Sequence, residues 1–296
     1  MKPFFDFAQK RHAIYLRRQE KMPWPWTNDK VLQEYRFTNV FRELDKTTVW
    51  FREHIRDPLA DDDNVLMATI LFRWFNRIST GEALFVRPYP FMKDFTAWEW
   101  FLECSRDRFE NEILRDTLLH YYPDGPYITG AYVISSPTGM TKLEGVLWSI
   151  AQCWAARNKL HAAINGKSLE QAWKALVAMP RMGPFMAYEV ITDLRWTHLL
   201  RDAPDILTWA NPGPGCRRGL SRLLGLDKDA LASGKQAFIL REMEKLLAAS
   251  RDDIHWPREW PQWEMRDVEH TLCEFDKYER LRLGEGKVRQ KFTYEG

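Results

Sequence analysis

Apolar residues recur every three to four positions along most of this chain, which predicts a mainly helical protein. The clearest pattern begins after Ser168, where Leu169, Trp173, Leu176 and Val177 form one apolar face. Ser168 and Gln171 also match a capping box, so a helix is predicted over 168–178. Similar patterns predict further helices over 28–50, 61–77, 141–163, 184–201, 215–224, 235–249 and 266–280.

Two short segments favour β-structure, because aromatic and β-branched residues are concentrated at 84–90 and 127–136. The Ser-Ser-Pro-Thr-Gly run at 135–139 predicts a loop after the second. The expected fold class is therefore all-α with a small β excursion. We expect a single helical domain over 1–296, with two helical lobes, about 1–140 and 141–280, as the alternative, and a basic C-terminal tail.

The segment between the predicted helices 168–178 and 184–201 is typical of a helix-hairpin-helix motif. Pro180 ends the first helix, Gly183 supplies conformational freedom for a tight turn, and Pro184 suits the start of the second helix. We expect Arg181 and the amides of Met182 and Gly183 to bind a DNA phosphate at the positive end of that helix. An ordinary αα-hairpin is the alternative.

Composition excludes several classes of protein. A mean hydropathy of -0.48 and 28% charged residues argue against a membrane span, and the charged N-terminus argues against a secretory signal. We therefore expect a cytoplasmic protein, in the host cell if a phage encodes it. The net charge is only +2, so DNA binding would depend on local basic patches. Such patches, or simply solvated helix faces, are formed by Lys10, Arg11, Arg17, Arg18, Lys21, Arg217, Arg218 and Arg222.

The chain lacks the common catalytic signatures. It contains no GxxxxGK[ST], GxGxxG, HExxH or GxSxG motif, which leaves no support for a P-loop kinase or a zinc protease. Its four cysteines form no CxxC pair, so structural zinc and a locally bound iron–sulfur cluster are not expected. The 14 Trp, 17 Phe and 10 Tyr residues are mostly core, but they also suit stacking on an extruded base.

A glycine-rich loop at 211–216 opens a helix that carries Arg217 and Arg218. Backbone amides at a helix start and paired arginines suit an anionic phosphate group. We therefore expect Arg217 and Arg218, with the amides of Gly213 and Gly215, to bind such a group.

Two further polar sets lie among aromatic residues. Arg36, Asn39, Arg42 and Asp45 are spaced three apart on the predicted helix 28–50. We expect this face to meet a second set, Arg73 and Asn76, in a pocket beside the 211–218 loop, because a buried arginine needs an anionic partner. A salt-bridged helix pair remote from DNA is the alternative.

The last predicted helix also carries charged residues among apolar ones, namely Asp267, Glu274 and Lys277. Glu274 and Lys277 are three apart, so they either pair with each other or supply a general base beside a cation.

Several motifs in order resemble a known family. The segments FTNVFRELD, FRWFN, TGAY, MGPFMAYEVITDL, NPGPGCRRGL and DVEHTLCEFDKY are similar to those of the phage α-glutamyl/putrescinyl-thymine pyrophosphorylases, or amino acid:DNA transferases. The helical domain of some 5-hydroxymethyluracil DNA kinases has similar N-terminal signatures. The resemblance covers about residues 23–280 and implies the helical fold of helix-hairpin-helix DNA glycosylases. The 211–216 loop departs from the glycosylases, because it lacks their catalytic Asp.

The resemblance implies a transferase of phage thymine hypermodification. A kinase would first pyrophosphorylate 5-hydroxymethyluracil in DNA, and this enzyme would then displace pyrophosphate from the flipped-out base with an amino acid or polyamine. The implied partners are double-stranded DNA containing modified thymine, a small amine and, functionally, a DNA kinase. No residue is assigned as a metal ligand, and the only cofactor expected is a divalent cation accompanying the pyrophosphate.

Residue roles follow from the same combination. The expected catalytic residues are Asp193, Glu274, Arg217 and Arg218, and the general base is left open among Asp193, Glu189, Glu269 and Glu274. The expected substrate-binding residues are Arg36, Asn39, Arg42, Asp45, Arg73, Asn76, Tyr132, Gly213, Gly215, Glu269 and Lys277.

Two other functions stay open. One is a glycosylase-like enzyme in which Asp193 or Asp205 replaces the missing loop Asp. The other is a non-catalytic DNA-binding partner of a kinase.

Overall fold

The structure is a computed structural model that describes residues 1–105, 109–130, 132, 134–285 and 291–294. Within these residues it contains fourteen α-helices and one two-stranded sheet, which confirms the all-α class with a small β excursion. No helix in the described ranges is long and apolar enough to cross a membrane. The helices are α1 Lys2–Gln19, α2 Lys30–Glu34, α3 Lys46–Phe51, α4 Val65–Phe75, α5 Ile78–Gly81, α6 Ala97–Cys104, α7 Asn111–Tyr121, α8 Lys142–Ala155, α9 Arg157–Ile164, α10 Leu169–Val177, α11 Pro184–Leu194, α12 Pro214–Leu223, α13 Gln236–Ala249 and α14 Met265–Arg282.

The chain divides into two compact units. Unit 1 consists of Met1–Asp45 with Asp205–Gly296, and unit 2 is the intervening segment Lys46–Pro204. The lobe boundary expected near residue 140 falls inside unit 2.

Unit 1 is built around the contact between α12 and α14. A Cβ atom at Gly219 would lie 2.1 Å from the Leu272 carbonyl oxygen, and one at Gly215 would lie 2.4 Å from the Cys273 Sγ. Glycines four residues apart therefore let the two helices approach closely. Gly215, expected to bind phosphate, has this packing role in the structure.

Aromatic side chains fill the rest of the unit 1 core. Trp256 and Trp263 are each 1% exposed, with their ring centroids 5.0 Å apart. The α1 residue Phe4 packs edge-on against Trp263 and against Phe275 of α14. Helix α1 was not predicted, because most of its buried apolar residues lie in its first half and no regular apolar face continues along it.

Unit 2 surrounds α4, in which every residue is buried. A helix that is apolar on all sides belongs in a core, and α4 packs against α8 and α11. Thr129 donates its amide to the carbonyl of Phe75, the last residue of α4. The described residues of 127–136 form no strand, so that strand prediction was wrong.

The sheet of unit 2 is small. Strands Pro88–Tyr89 (β1) and Met92–Thr96 (β2) pair antiparallel, with Pro88 opposite Thr96. The predicted strand 84–90 is correct only at its end. Residues Glu82–Val86 instead form a π-helical turn that extends α5, as Arg52–Arg56 extends α3. Ala83 and Leu84 are buried by this turn.

The prediction of one long helix over 28–50 is wrong. The chain leaves α2 at Tyr35 in an extended conformation, forms a 3₁₀ turn at Arg42–Leu44, and becomes helical again in α3. Tyr35 forms a bridge with Lys291, and the Phe292 amide donates to the Glu34 carbonyl at 2.8 Å. Pairing with a distant segment thus replaces the helical hydrogen bonds.

Other helix boundaries are closer to expectation. The predicted helix 141–163 is two helices, α8 and α9, and α6 and α7 were not predicted. The helices α10, α12, α13 and α14 begin and end within two residues of the prediction.

Candidate functional site

A row of polar side chains on α14 faces the extended segment after α2 in unit 1. Glu274 accepts the Thr38 amide at 3.1 Å, and Lys277 Nζ donates to the Arg36 carbonyl. His270 Nε2 lies 2.9 Å from Thr38 Oγ1 and 3.1 Å from the Asn39 carbonyl oxygen. Lys277 Nζ is also 3.5 Å from the Glu274 carboxylate. A carboxylate, a cation and an imidazole are therefore held side by side.

Asn39 organises the other side of this cluster. Its backbone amide donates to the Asp45 carboxylate at 2.8 Å. In its side chain, Nδ2 donates to the Leu44 carbonyl at 2.7 Å, and Oδ1 accepts from Arg11 Nη2 at 2.7 Å. Asn39 and Asp45 thus come together through a loop and not on one helical face. Burial raises the pKa of the Asp45 carboxyl.

Arg11 contributes to this site, although the sequence placed it only in a basic patch and predicted no specific role for it. It is 7% exposed, and burial lowers the pKa of its guanidinium to about 10, so it stays a cation at neutral pH. Its Nη2 is used, but in the described part of the chain its buried Nη1 has no hydrogen-bond partner. A buried donor of this kind requires an acceptor. The only sequence signal was its place in the basic N-terminal patch.

Arg11 lies at the wall of a cavity of about 250 Å³ in unit 1, which we name the aromatic cavity. Arg18 is placed over the ring of Trp26, 5.1 Å from its centroid, and Arg36 lies on the same wall. Three arginines and stacked rings suit a flat group that carries negative charge. The aromatic and arginine residues of the cavity are Trp24, Trp26, Tyr35, Phe37, Phe292, Arg11, Arg18 and Arg36.

In the glycine-rich loop at 211–216, an amide expected to bind phosphate is bound by a side chain of the protein. The Gly213 amide, expected to bind phosphate, donates to Glu269 Oε1 at 3.2 Å. Glu269, one of the four base candidates, thus contacts the start of α12.

The two arginines of α12 are also engaged. Arg217 donates to the carbonyls of Pro212, Leu231 and Gly234 and to the Gln236 side chain. These bonds hold the loop between α12 and α13, so binding a pyrophosphate would require replacing them.

Arg218 pairs with a buried carboxylate. Its Nε donates to Asp276 at 3.0 Å, and Asp276 also accepts from Arg222 at 2.9 Å. Asp276 is 1% exposed, so this ion pair joins α12 to α14 in the core.

Asp193, a base candidate, lies in the core of unit 2. Its carboxylate forms a two-bonded ion pair with Arg73, at 2.5 and 2.9 Å, and it is 0% exposed. Arg73 also donates to Asn76 at 2.7 Å, and its guanidinium is 4.9 Å from the Phe51 ring centroid. The anionic partner expected for Arg73 is therefore Asp193, whose carboxylate is enclosed by the described residues around it.

Tyr132 and Glu189 also meet in unit 2. The Tyr132 hydroxyl donates to the Glu189 carboxylate, and its ring packs edge-on against Phe185. Glu189 is half-buried, unlike Asp193.

The two predicted polar sets are divided between the units. Arg42, like Asn39 and Asp45, belongs to unit 1 and is buried there, while Arg73 and Asn76 belong to unit 2. That the two sets form one pocket beside the 211–218 loop stays a prediction.

The turn between α10 and α11 differs from the expected hairpin. The Met182 amide donates to the Met179 carbonyl and the Gly183 amide to the Arg181 carbonyl, so both expected phosphate donors are used within the turn. Met182 is 2% exposed. The left-handed residue is Arg181, with φ of +64°, whereas Gly183 has an ordinary φ of −67°. The expected need for glycine at 183 was wrong.

The helical fold and these sites can now be compared with known proteins. This chain belongs to the family described as "5-hmdU DNA kinase, helical domain", which it matches over residues 1–288. It is also similar to the 5-hmdU DNA kinase of Bacillus phage SP10, with 26% identity over 296 residues. That match covers 93% of this chain and 44% of the phage protein, so the chain spans less than half of its relative's length. No solved structure matches it.

Proposed function

We propose that this chain takes part in thymine hypermodification of phage DNA, as the enzyme that displaces pyrophosphate from 5-(pyrophosphoryloxymethyl)uracil with an amino acid or polyamine. The family and the similar phage protein are both described by a kinase for 5-hmdU DNA. Phosphorylation of that base supplies an activated leaving group. The residues of this chain contain no P-loop motif, and we assign to them the step that follows phosphorylation.

The observation that carries this proposal is the aromatic cavity, which is lined by Arg11, Arg18 and Arg36. Among the described residues, the buried Nη1 of Arg11 has no hydrogen-bond partner. A flipped-out pyrimidine would stack between the rings, as extruded bases do in other DNA-modifying enzymes. The arginines would neutralise pyrophosphate as it leaves, a role that depends on fixed positive charge in a partly dehydrated site. We therefore move the leaving-group role from Arg217 and Arg218 to Arg11, Arg18 and Arg36.

The reaction is a substitution at the methylene carbon on C5. The carbon–oxygen bond to pyrophosphate breaks, and the oxygen takes the electron pair. The amine nitrogen forms the new carbon–nitrogen bond and loses one proton to a general base. A divalent cation would arrive with the pyrophosphate as part of the substrate.

Glu274 is the base we favour among the four candidates. It is half-buried next to Lys277, which also bonds the Arg36 carbonyl at the cavity wall. Asp193 is enclosed in its ion pair with Arg73, and Glu189 accepts from Tyr132. Glu269 and Glu274 each accept a backbone amide, but the one bound by Glu274 belongs to Thr38, the residue after Phe37 of the cavity.

The test is to incubate the protein with DNA containing pyrophosphorylated hydroxymethyluracil and a panel of amines, and to analyse the nucleosides by mass spectrometry. We expect an aminated thymidine. An abasic site would instead support the glycosylase-like function, and unchanged DNA would support a non-catalytic partner of the kinase.

Variants test the site in the same assay. Glu274→Gln and Arg36→Gln should each lower the rate by about 100-fold or more, since they remove a base or a charge that stabilises the leaving group. Arg241→Gln, at an exposed position of α13, is the matched control and should keep the wild-type rate. Full activity of Glu274→Gln would remove Glu274 from the mechanism.

A further inference from the structure

Three side chains from separate parts of unit 2 converge at its surface. Asp63 precedes α4, His161 lies in α9, and His198 follows α11. Asp63 Oδ1 is 3.0 Å from His161 Nε2 and 3.2 Å from His198 Nε2. One ligand atom from each residue lies within 4.8 Å of the other two. None of these residues has a role in the proposed transfer reaction.

The hydrogen bonds of His198 orient its Nε2 toward Asp63. Its Nδ1 lies 3.0 Å from the Ala60 carbonyl oxygen, which can only accept a hydrogen bond. A neutral imidazole has a single N–H, so the Nε2 lone pair would then face the Asp63 carboxylate. The lone pairs of His198 Nε2 and Asp63 Oδ1, 3.2 Å apart, repel each other unless a positive charge lies between them.

The spacing suits a metal ion in that place. Zinc binds nitrogen and oxygen ligands at about 2.0–2.1 Å in tetrahedral sites, which places the ligand atoms about 3.3 Å from each other. The two distances from Asp63 Oδ1, 3.0 and 3.2 Å, are close to that value. The ligand atoms of the two imidazoles lie within 4.8 Å of each other, so binding would draw the two rings together. A histidine ligand also commonly donates its other ring N–H to a carbonyl, as His198 does to Ala60.

We propose that Asp63, His161 and His198 bind one divalent transition-metal ion, with zinc the best match to two imidazoles and one carboxylate. Three protein ligands leave one tetrahedral position for water. A cavity of about 280 Å³ borders Asp63 and His161 and leaves room for that ligand. Because the ligands come from the loop before α4, from α9 and from the segment after α11, the ion also ties these parts of unit 2 together.

The test uses Zn²⁺ and its spectroscopic substitute Co²⁺ with the whole chain after removal of metal by a chelator. We expect one ion per chain by calorimetry, a tetrahedral Co²⁺ absorption band, and a higher unfolding temperature with Zn²⁺. His161→Gln, His198→Gln and Asp63→Asn should each weaken binding by more than about tenfold and remove the thermal shift. His120→Gln, at an exposed position elsewhere in unit 2, is the control and should bind as the wild type does.

Circular dichroism checks that each variant is folded, so a loss of binding can be assigned to the missing ligand. The proposal is overturned if the folded wild type binds no Zn²⁺ or Co²⁺, or if His198→Gln binds as tightly as wild type. Asp63, His161 and His198 would then form ordinary hydrogen bonds with one another. No DNA substrate is used, so the result is independent of the transferase proposal.

Discussion

The ion pair between Arg73 and Asp193 shows how enclosure changes what a charged residue can do. Both side chains are almost fully buried, and each satisfies the charge of the other. Removing one partner of such a pair leaves a buried charge without compensation, whereas replacing both by apolar residues is far better tolerated.

We predict that Asp193→Ala lowers the free energy of unfolding by about 3–5 kcal/mol. The double variant Arg73→Met with Asp193→Leu should recover much of that loss, as measured by urea denaturation. A stable Asp193→Ala protein that has lost activity would instead make Asp193 a catalytic residue.

Gly219 in the middle of α12 and Gly183 before α11 have different roles, and substitution separates them. Gly219→Ala would place a Cβ atom 2.1 Å from a backbone carbonyl of α14, which cannot move aside without displacing the helix. We predict that it destabilises the protein by about 1–3 kcal/mol or more in thermal or urea unfolding.

Gly183→Ser is the matched comparison. Gly183 is the N-cap of α11 with ordinary backbone angles, and a Cβ there would contact nothing within 4 Å. Serine is a good N-cap, so we predict unchanged or slightly higher stability. A large loss at position 183 would mean that this turn does require glycine.

Asp267 makes the stability of unit 1 depend on pH. Burial raises the pKa of its carboxyl to about 7, while the unfolded chain keeps its ordinary value near 3.8. A raised folded pKa contributes stability that is complete below the unfolded pKa and is lost as pH rises through the folded pKa.

We therefore predict that Asp267→Asn gains stability relative to wild type as pH rises from about 5 to about 8. Asparagine keeps an acceptor for the Glu264 amide, so the helix cap stays in place. Denaturation midpoints at several pH values measure the difference, with the exposed Asp202→Asn as control. A difference in stability between wild type and Asp267→Asn that does not change with pH would contradict the raised pKa of Asp267.

At the scale of elements, the turn between α10 and α11 is the part we propose to bind the DNA backbone. The amides of Phe185 and Met186 precede the first intrahelical bond of α11, from Ala187 to Gly183, so they lack an acceptor within the helix. Arg181 adds an exposed positive charge in a left-handed conformation.

Arg181→Asn tests this role, because asparagine tolerates the left-handed conformation and removes only the charge. We predict weaker duplex binding and a salt dependence reduced by about one counterion. Fluorescence anisotropy over a series of salt concentrations measures both. Unchanged affinity and slope would exclude Arg181 as a phosphate contact.

Helices with a strong local pattern could be predicted from the sequence, and those that depend on distant partners could not. Residues 168–178 carry both a capping box and an apolar face, so α10 was placed within one residue. The 28–50 segment carries polar residues three apart, but Glu34 and Tyr35 pair with residues 291 and 292, which no local pattern reveals.

At the scale of the molecule, unit 1 is assembled from both ends of the chain. The Thr38 amide and Glu274 are 236 residues apart in sequence and 3.1 Å apart in space. The sequence could name Glu274 and Lys277 because they share one helix, and Asn39 because it lies among aromatic residues. It could not show that Arg11 joins them, nor that Asp63, His161 and His198 meet in unit 2.

We propose that pyrophosphate leaves and an amine takes its place in a single enzymatic reaction on DNA. The most direct measurement is the ratio of pyrophosphate released to aminated nucleoside formed, followed over time with the wild-type protein. We expect one pyrophosphate for each new carbon–nitrogen bond, with neither product formed when the amine is omitted. Pyrophosphate release that continues without amine and yields 5-hydroxymethyluracil would mean hydrolysis, and would contradict the account.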